Sequence, residues 1–266
     1  MAPLKLLTIF NLTILYVLGC FAQSDTAWKS ASLPITDFYL TGLSERNPAA
    51  TAFISKSHVK ISFENRFFLK ELMKESVRGT IRYGPNTFLV SADHFGYSRY
   101  GELTTELGYV RNFGQRIAIG MQFYYLMSHA AEYPMTHSVT FDISLYAAIS
   151  NNIGLGFSVY NPARLKYNLT GRTVLPTRLH LDFNYRIGKK VILFTEVEKE
   201  LKSQFVFRLG AGYKVRCLYL SVSAQIPEPQ IDIETEIAYR RFVFGITWQY
   251  RILLGFVPQV SMVLRL

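Results

Sequence analysis

Five histidines, His58, His94, His129, His137 and His180, are the first residues to weigh, because imidazole moves protons and binds metals near neutral pH. His129 follows Ser128 in "MSHAAEYP", the right residue types for a nucleophile and its base. Adjacency in sequence does not create such a pair, however, and no acid follows at a spacing that would orient the imidazole. No His, Cys, Asp or Glu spacing matches a zinc site, and there is no glycine-rich phosphate loop. The expectation is a non-enzymatic protein with no catalytic residues, no metal and no cofactor.

The carboxylates are more informative. Glu102, Glu106, Asp142, Asp182, Glu196, Glu198, Glu234 and Glu236 fall on the polar side of alternating segments, as do Arg78, Arg82, Arg178, Arg186 and Arg208. On one enclosed face they admit two readings. One is a charged constriction that selects solutes. The other, which we favour, is a salt-bridged network in which each carboxylate is paired, because isolated buried charge is costly.

The elements that must position these groups are strands. Ile117, Ile119, Met121, Phe123 and Tyr125 alternate with Ala118, Gly120, Gln122 and Tyr124, and "RLHLDFNYRI" sets Leu179, Leu181, Phe183 and Tyr185 against Arg178, His180, Asp182, Asn184 and Arg186. Fourteen such segments follow one another, at 55–66, 76–84, 86–96, 101–112, 115–127, 135–149, 152–161, 176–187, 190–199, 203–214, 216–225, 230–240, 241–251 and 257–266. Tight turns at "GPN", "FGQ", "SNN", "GK", "VR" and "RR" alternate with longer links at 67–75, 97–100, 128–134, 162–175, 200–202, 226–229 and 252–256. That alternation predicts an all-β, up-and-down antiparallel transmembrane barrel of about 14 strands, with its apolar face toward lipid. A soluble sandwich would need Greek-key links instead.

Composition agrees. Charged residues make up 18%, against roughly 25% in soluble domains, and aromatics 15%, which points to an apolar exterior. Tyr83, Tyr109, Tyr125, Tyr185, Tyr213, Tyr239, Trp248 and Tyr250 sit near segment ends and suit interfacial girdles. The net charge of +10 is spread singly along the chain, without a basic run or a nucleic-acid motif, so nucleic acid is not an expected partner. Lipid headgroups or solubility explain the sign better.

Residues 1–22, with Lys5 ahead of an apolar run, read as a signal peptide. "VLGC" also passes as a loose lipobox, leaving open whether Cys20 is lipidated or removed. Without Cys20 only Cys217 remains, so no internal disulfide staples the exported fold. Residues 23–54, without a sustained period and with a turn at Asn47 and Pro48, are the natural hatch, since fourteen strands enclose a lumen too wide for side chains to fill. Residues 55–266 form the barrel.

Three stretches carry a family resemblance: "RNPAATA" before the first strand, "VYNPARLKY" after the seventh, and "LPTRLHLDFNYRIGKKVILFTEVEKELKSQFVFRLGAGYKV" across strands eight to ten. With these the chain resembles the FadL-type outer-membrane barrels, and within them the PorV/PorQ branch of Bacteroidetes-type bacteria. The resemblance implies a lumenal hatch, a bacterial outer-membrane location and both termini in the periplasm. It also implies either a role in type IX secretion, as for PorV and PorQ, or passage of hydrophobic molecules, as for FadL. "DTA" at Asp25 to Ala27 looks like the short O-glycosylation motif of such bacteria, with Thr26 the candidate acceptor.

The reading favoured from sequence is a docking or structural subunit of an envelope machine, because short outer links and a charged, hatch-filled lumen leave little room for permeation. Its partners would be outer-membrane lipid and another envelope protein. The alternative is a passive conduit for small hydrophobic molecules.

Overall fold

The computed structural model describes residues 33–165, 175–252 and 255–266. Residues 1–22, expected to be a signal peptide, with Cys20 and Thr26, lie outside the described residues. Fourteen strands form one closed barrel: β1 (His58–Asn65), β2 (Met73–Tyr83), β3 (Asn86–Tyr97), β4 (Tyr100–Phe113), β5 (Ile117–Ala130), β6 (Thr136–Ala148), β7 (Ile153–Tyr160), β8 (Arg178–Ile187), β9 (Val191–Glu200), β10 (Phe205–Val215), β11 (Leu218–Ile226), β12 (Gln230–Tyr239), β13 (Phe242–Arg251) and β14 (Gly255–Arg265). Every strand pairs antiparallel with its sequence neighbours, and β1 closes on β14 from His58↔Arg265 to Glu64↔Gln259. Beyond that ladder Leu266 donates its backbone N–H to Ser57 O at 2.9 Å.

Closure removes the free sheet edge, which in a bilayer would leave backbone groups unsatisfied. The outer wall is correspondingly apolar: Leu107, Phe123, Val139, Ile143, Phe183, Leu209 and Val222 are all exposed, far beyond the patches soluble monomers show. No helix among the described residues is long and apolar enough to cross a membrane. Tyr83, Tyr109, Tyr185 and Tyr213 stand near the rim that carries the chain termini, and Tyr125 and Tyr250 near the opposite rim.

At the terminal rim six short turns join the strands. Gly84 and Gly188 adopt left-handed φ there, and Arg216 and Arg240 accept the same conformation in two-residue turns. The opposite rim departs from the sequence reading. The link expected at 97–100 is only 98–99, because pairing between β3 and β4 runs on to Tyr97↔Tyr100. The alternation of short and long links is therefore weaker than the spacing suggests.

The segment expected to lack a period holds α1 (Ile35–Leu43), followed by a 3-10 turn at Pro48–Phe53. No side-chain cap starts α1, and its stability comes instead from packing: Ile35, Phe38, Tyr39, Leu40 and Leu43 are all buried against the barrel interior.

Candidate functional site

The lumen has two zones. Toward the terminal rim the inward-facing residues are apolar: Leu89, Val110, Ala118, Tyr146, Ile192, Phe194, Tyr219, Ala238, Val243 and Val263 form one cluster with the hatch. Further from that rim the same face turns polar and charged. Hydrophobic burial thus seats the hatch at one end, with Phe38 stacked on Tyr219 (centroids 5.1 Å apart), Tyr39 tilted against Phe194 (5.0 Å) and Phe53 against Tyr146 (5.1 Å).

Polar contacts then orient it. Between α1 and the 3-10 turn, Glu45 pairs with Lys60 of β1 at 2.7 Å, and Arg46 with Glu196 of β9 at 2.9 Å. Asn47 Nδ2 donates to Asp182 Oδ2 of β8 at 3.0 Å and to Leu145 O of β6 at 3.2 Å. Ala49 N–H donates to Ser144 Oγ at 3.1 Å, and Ser158 Oγ of β7 donates to Arg46 O at 2.8 Å. Arg78 and Arg82 of β2, Asn112 of β4 and Lys214 of β10 donate to the carbonyls of Ser44, Ile54, Ala52 and Leu33. Gly156 of β7 makes room for this: a Cβ there would strike both Asp182 Oδ2 and Asn47 Nδ2.

The charges in the hatch respond to these neighbours. Burial alone would raise the Glu45 carboxyl, but Lys60 and Arg78 outweigh it and hold its pKa at about 2. Burial works against the Arg46 guanidinium, yet Glu196 and Glu45 keep it firmly protonated. Asp37 moves the other way, pushed up by burial despite hydrogen bonds from Ser55.

Above the hatch a cavity of about 500 Å³ opens toward the opposite rim. Its lining includes Arg66, Lys74, Glu102, Glu106, Tyr124, Asp142, Tyr160, Arg178, His180 and Glu198. Smaller cavities of about 270 and 130 Å³ adjoin it, and all three share Glu45 and Arg46.

The residues singled out from sequence fall as follows. Asn47 and Pro48 are buried where the hatch turns. Glu106 pairs with Arg78 at 2.9 Å and accepts from Ser91 and Gln122, each at 2.5 Å. Glu196 pairs with Arg46, and Asp182 is held by Asn47. Asp142 accepts from Tyr124 Oη at 2.6 Å, and Glu102 from Tyr100 Oη. Glu198 lines the large cavity, Glu234 the 130 Å³ one, and buried Glu236 a cleft of about 20 Å³ beside α1. Arg208 lies 3.7 Å from Asp232 and donates to Gln225 at 3.1 Å. Arg178 stacks 4.9 Å above the Tyr160 ring. Arg82 and Arg186 bind backbone carbonyls, of Ile54 and Asn151 respectively.

The expectation that each carboxylate has an ionic partner does not hold. Among these eight only Glu106 and Glu196 are in ion pairs with arginine, because Arg82, Arg178 and Arg186 are spent on carbonyls and a ring. His180 stands 3.9 Å from Asp182 and 3.8 Å from Glu196, with neither ring nitrogen hydrogen-bonded. Sequence reasoning missed Arg46, Glu45, Lys60, Lys74, Asp93 and Asp232. Lys60 was readable, since it alternates with Val59 and Ile61; the hatch residues carried no such signal. Ser128 and His129 are successive residues of β5 and so point to opposite faces. Among the described residues no group of three His, Cys, Asp or Glu side chains is placed to hold a metal.

No protein-family model matches the sequence, and no curated protein matches it. Solved structures share its fold. The Pseudomonas putida toluene transporter TodX superposes with a TM-score of 0.62 over 83% of this chain and 92% of its own, at 8% identity. A Pseudomonas aeruginosa FadL homologue gives 0.59 over 84% and 94%, at 10% identity. At such identities the likeness establishes the architecture alone.

Proposed function

We propose that the protein is a hatch-gated passage for small molecules across the bacterial outer membrane, with its terminal rim in the periplasm. The observation that carries this reading is the arrangement of the lumen: an open chamber of about 500 Å³ ends on a hatch seated by an apolar collar and oriented by polar contacts to the barrel wall. The architecture shared with a toluene transporter and a FadL homologue supports it, and it favours the conduit reading over docking. No enzymatic step is needed.

The hatch is the natural gate. Solutes would enter from the opposite rim, rest above Glu45 and Arg46, and pass when the contacts at Asn47 yield. Flux measured in liposomes holding the full chain, using neutral solutes of graded apolarity and including toluene, tests this. Flux that rises when Asn47→Ala loosens the hatch is the expected outcome; no flux through either form sinks the reading.

One observation favours a second reading, a PorV/PorQ-like docking subunit associated with type IX secretion. The hatch is tied to β1, β2, β4 and β6 to β10, more anchoring than a freely moving gate needs. A stoichiometric protein partner in a mild-detergent pull-down from native outer membranes would favour it, and extracted hydrophobic molecules without a partner would favour the passage.

A further inference from the structure

We propose that the terminal rim is a docking ring for anionic phospholipid headgroups of the leaflet it meets. The ring is independent of whether any solute passes through the lumen. The net charge of +10 is scattered along the sequence, but folding brings exposed cations together at one end. Arg116 closes the β4–β5 turn, and Lys189 and Lys190 follow Gly188 between β8 and β9. Arg216 opens the β10–β11 turn, and Arg240 and Arg241 are the whole of the β12–β13 turn. All six are exposed.

No acid answers them. The turns at 84–85, 114–116, 149–152, 188–190, 216–217 and 240–241, with the three residues on either side of each, carry no Asp or Glu. None of the six cations enters an ion pair among the described residues. Arg240 lies 5.4 Å from the centre of the Tyr239 ring, a contact that leaves its charge unneutralised. The hatch carboxylate at this end, Asp37, is buried and bound by Ser55. The opposite rim is different: there Glu71, Glu132 and Glu228 are exposed along with Lys70, Arg99 and Lys202. Charge serving solubility alone would mix signs at both ends, whereas a rim of one sign sets up a field that gathers anions.

Two features select a lipid leaflet among anionic partners. First, the cations go round the barrel: Arg116 lies on the opposite side of the closed ring from Arg240 and Arg241. A docked protein calls for charge on the face it covers, while a leaflet meets the barrel on every side. Second, the cations stand just beyond exposed aromatic rings of the outer wall, Tyr109, Phe113, Tyr185 and Tyr213, and such a belt marks headgroup depth. Arg111 joins the two layers. Val110 takes the lumen face of β4, so exposed Arg111 shares the outer wall with Tyr109 and Phe113. A long cationic side chain there rests its methylenes on apolar surface and carries its charge to the phosphate layer. Attraction of this kind between basic side chains and anionic headgroups is electrostatic and screened by salt.

The test is native mass spectrometry of the full chain in neutral detergent, titrated with phosphatidylglycerol and, separately, with phosphatidylcholine of the same acyl chains. Phosphatidylglycerol bound at least tenfold more tightly, with the preference weakened by raised salt, is expected. The combined variant Lys189→Gln, Lys190→Gln, Arg240→Gln, Arg241→Gln should lose most of that preference. Equal binding of both lipids, or a preference untouched by the combined variant, overturns the ring. Lys70→Gln with Lys202→Gln, at the opposite rim, should leave the preference as it is; an equal loss there also overturns it. Lys189→Gln with Lys190→Gln alone should lower the preference about threefold. This pair decides the matter if the combined variant fails to assemble, as read by heat-modifiable electrophoretic migration. Rim-dependent binding of octaglutamate tighter than that of phosphatidylglycerol overturns the leaflet in favour of an acidic protein.

Discussion

Asn47 Nδ2 lies 3.0 Å from Asp182 Oδ2, a hydrogen bond that joins the hatch to β8 across 135 residues of chain. Both residues are fully buried, so neither group has water to fall back on. Asn47→Ala leaves the Asp182 carboxylate without its donor and should cost about 1.5–3 kcal/mol, the usual range for hydrogen bonds to charged groups. Limited proteolysis of the hatch in detergent reads this directly. Cleavage no faster than in the unaltered protein would show that the contact does not hold the hatch.

Gly156→Ala and Gly42→Ala make opposed predictions. At Gly156 the new methyl meets Asp182 and Asn47, an overpacking expected to cost about 1–3 kcal/mol. At Gly42, within α1, the methyl meets nothing within 4 Å, and the loss of backbone freedom should stabilise the helix by about 0.5–1 kcal/mol. Thermal unfolding of both variants should shift in opposite directions.

Ile143→Arg and Phe183→Arg place a cation on the outer wall midway along β6 and β8. Near the bilayer midplane that costs roughly 2–4 kcal/mol, so membrane assembly should fall sharply. Normal assembly of both variants would contradict the assignment of that wall to lipid.

Acid should loosen the hatch through Glu45. Its pKa in the folded protein is about 2, against an ordinary 4.5, because Lys60 and Arg78 overcome the effect of burial. A lowered carboxylate stabilises the folded state above about pH 4.5, and that contribution fades as pH falls toward about 2. Asp37, raised by burial, works in the opposite sense, favouring its protonated form in the fold. Hatch proteolysis by an acid-active protease, followed across that window, should therefore accelerate in the unaltered protein and change less in Glu45→Gln.

The barrel was legible because strand alternation is a local property. Val139, Phe141, Ile143 and Leu145 announce their outward face whatever surrounds them, and the fourteen expected segments lie close to the observed strands. The hatch was not legible, because α1 owes its helix to the collar it packs on, and Thr36, Thr41 and Gly42 are poor helix formers. Its position did leave a trace. In "VILF" at the start of β9, Ile192 and Phe194 are apolar on the face that turns acidic at Glu196 and Glu198 further along the strand. Such breaks in alternation mark strands buried on both sides, and here they outline the collar. Ion-pair partners left no comparable trace, since Arg46 and Glu196 meet only through the seating of the hatch.

The bond from Leu266 to Ser57 bears on how the molecule is made. Ser57 belongs to the stem that leads from the hatch into β1, and β1 finds its last partner in β14. The sheet therefore zips shut against the stretch of chain that carries the stopper. Only Ile54 to Lys56 separate the hatch turn from Ser57, so the joint that closes the barrel and the root of its stopper are one stretch of chain.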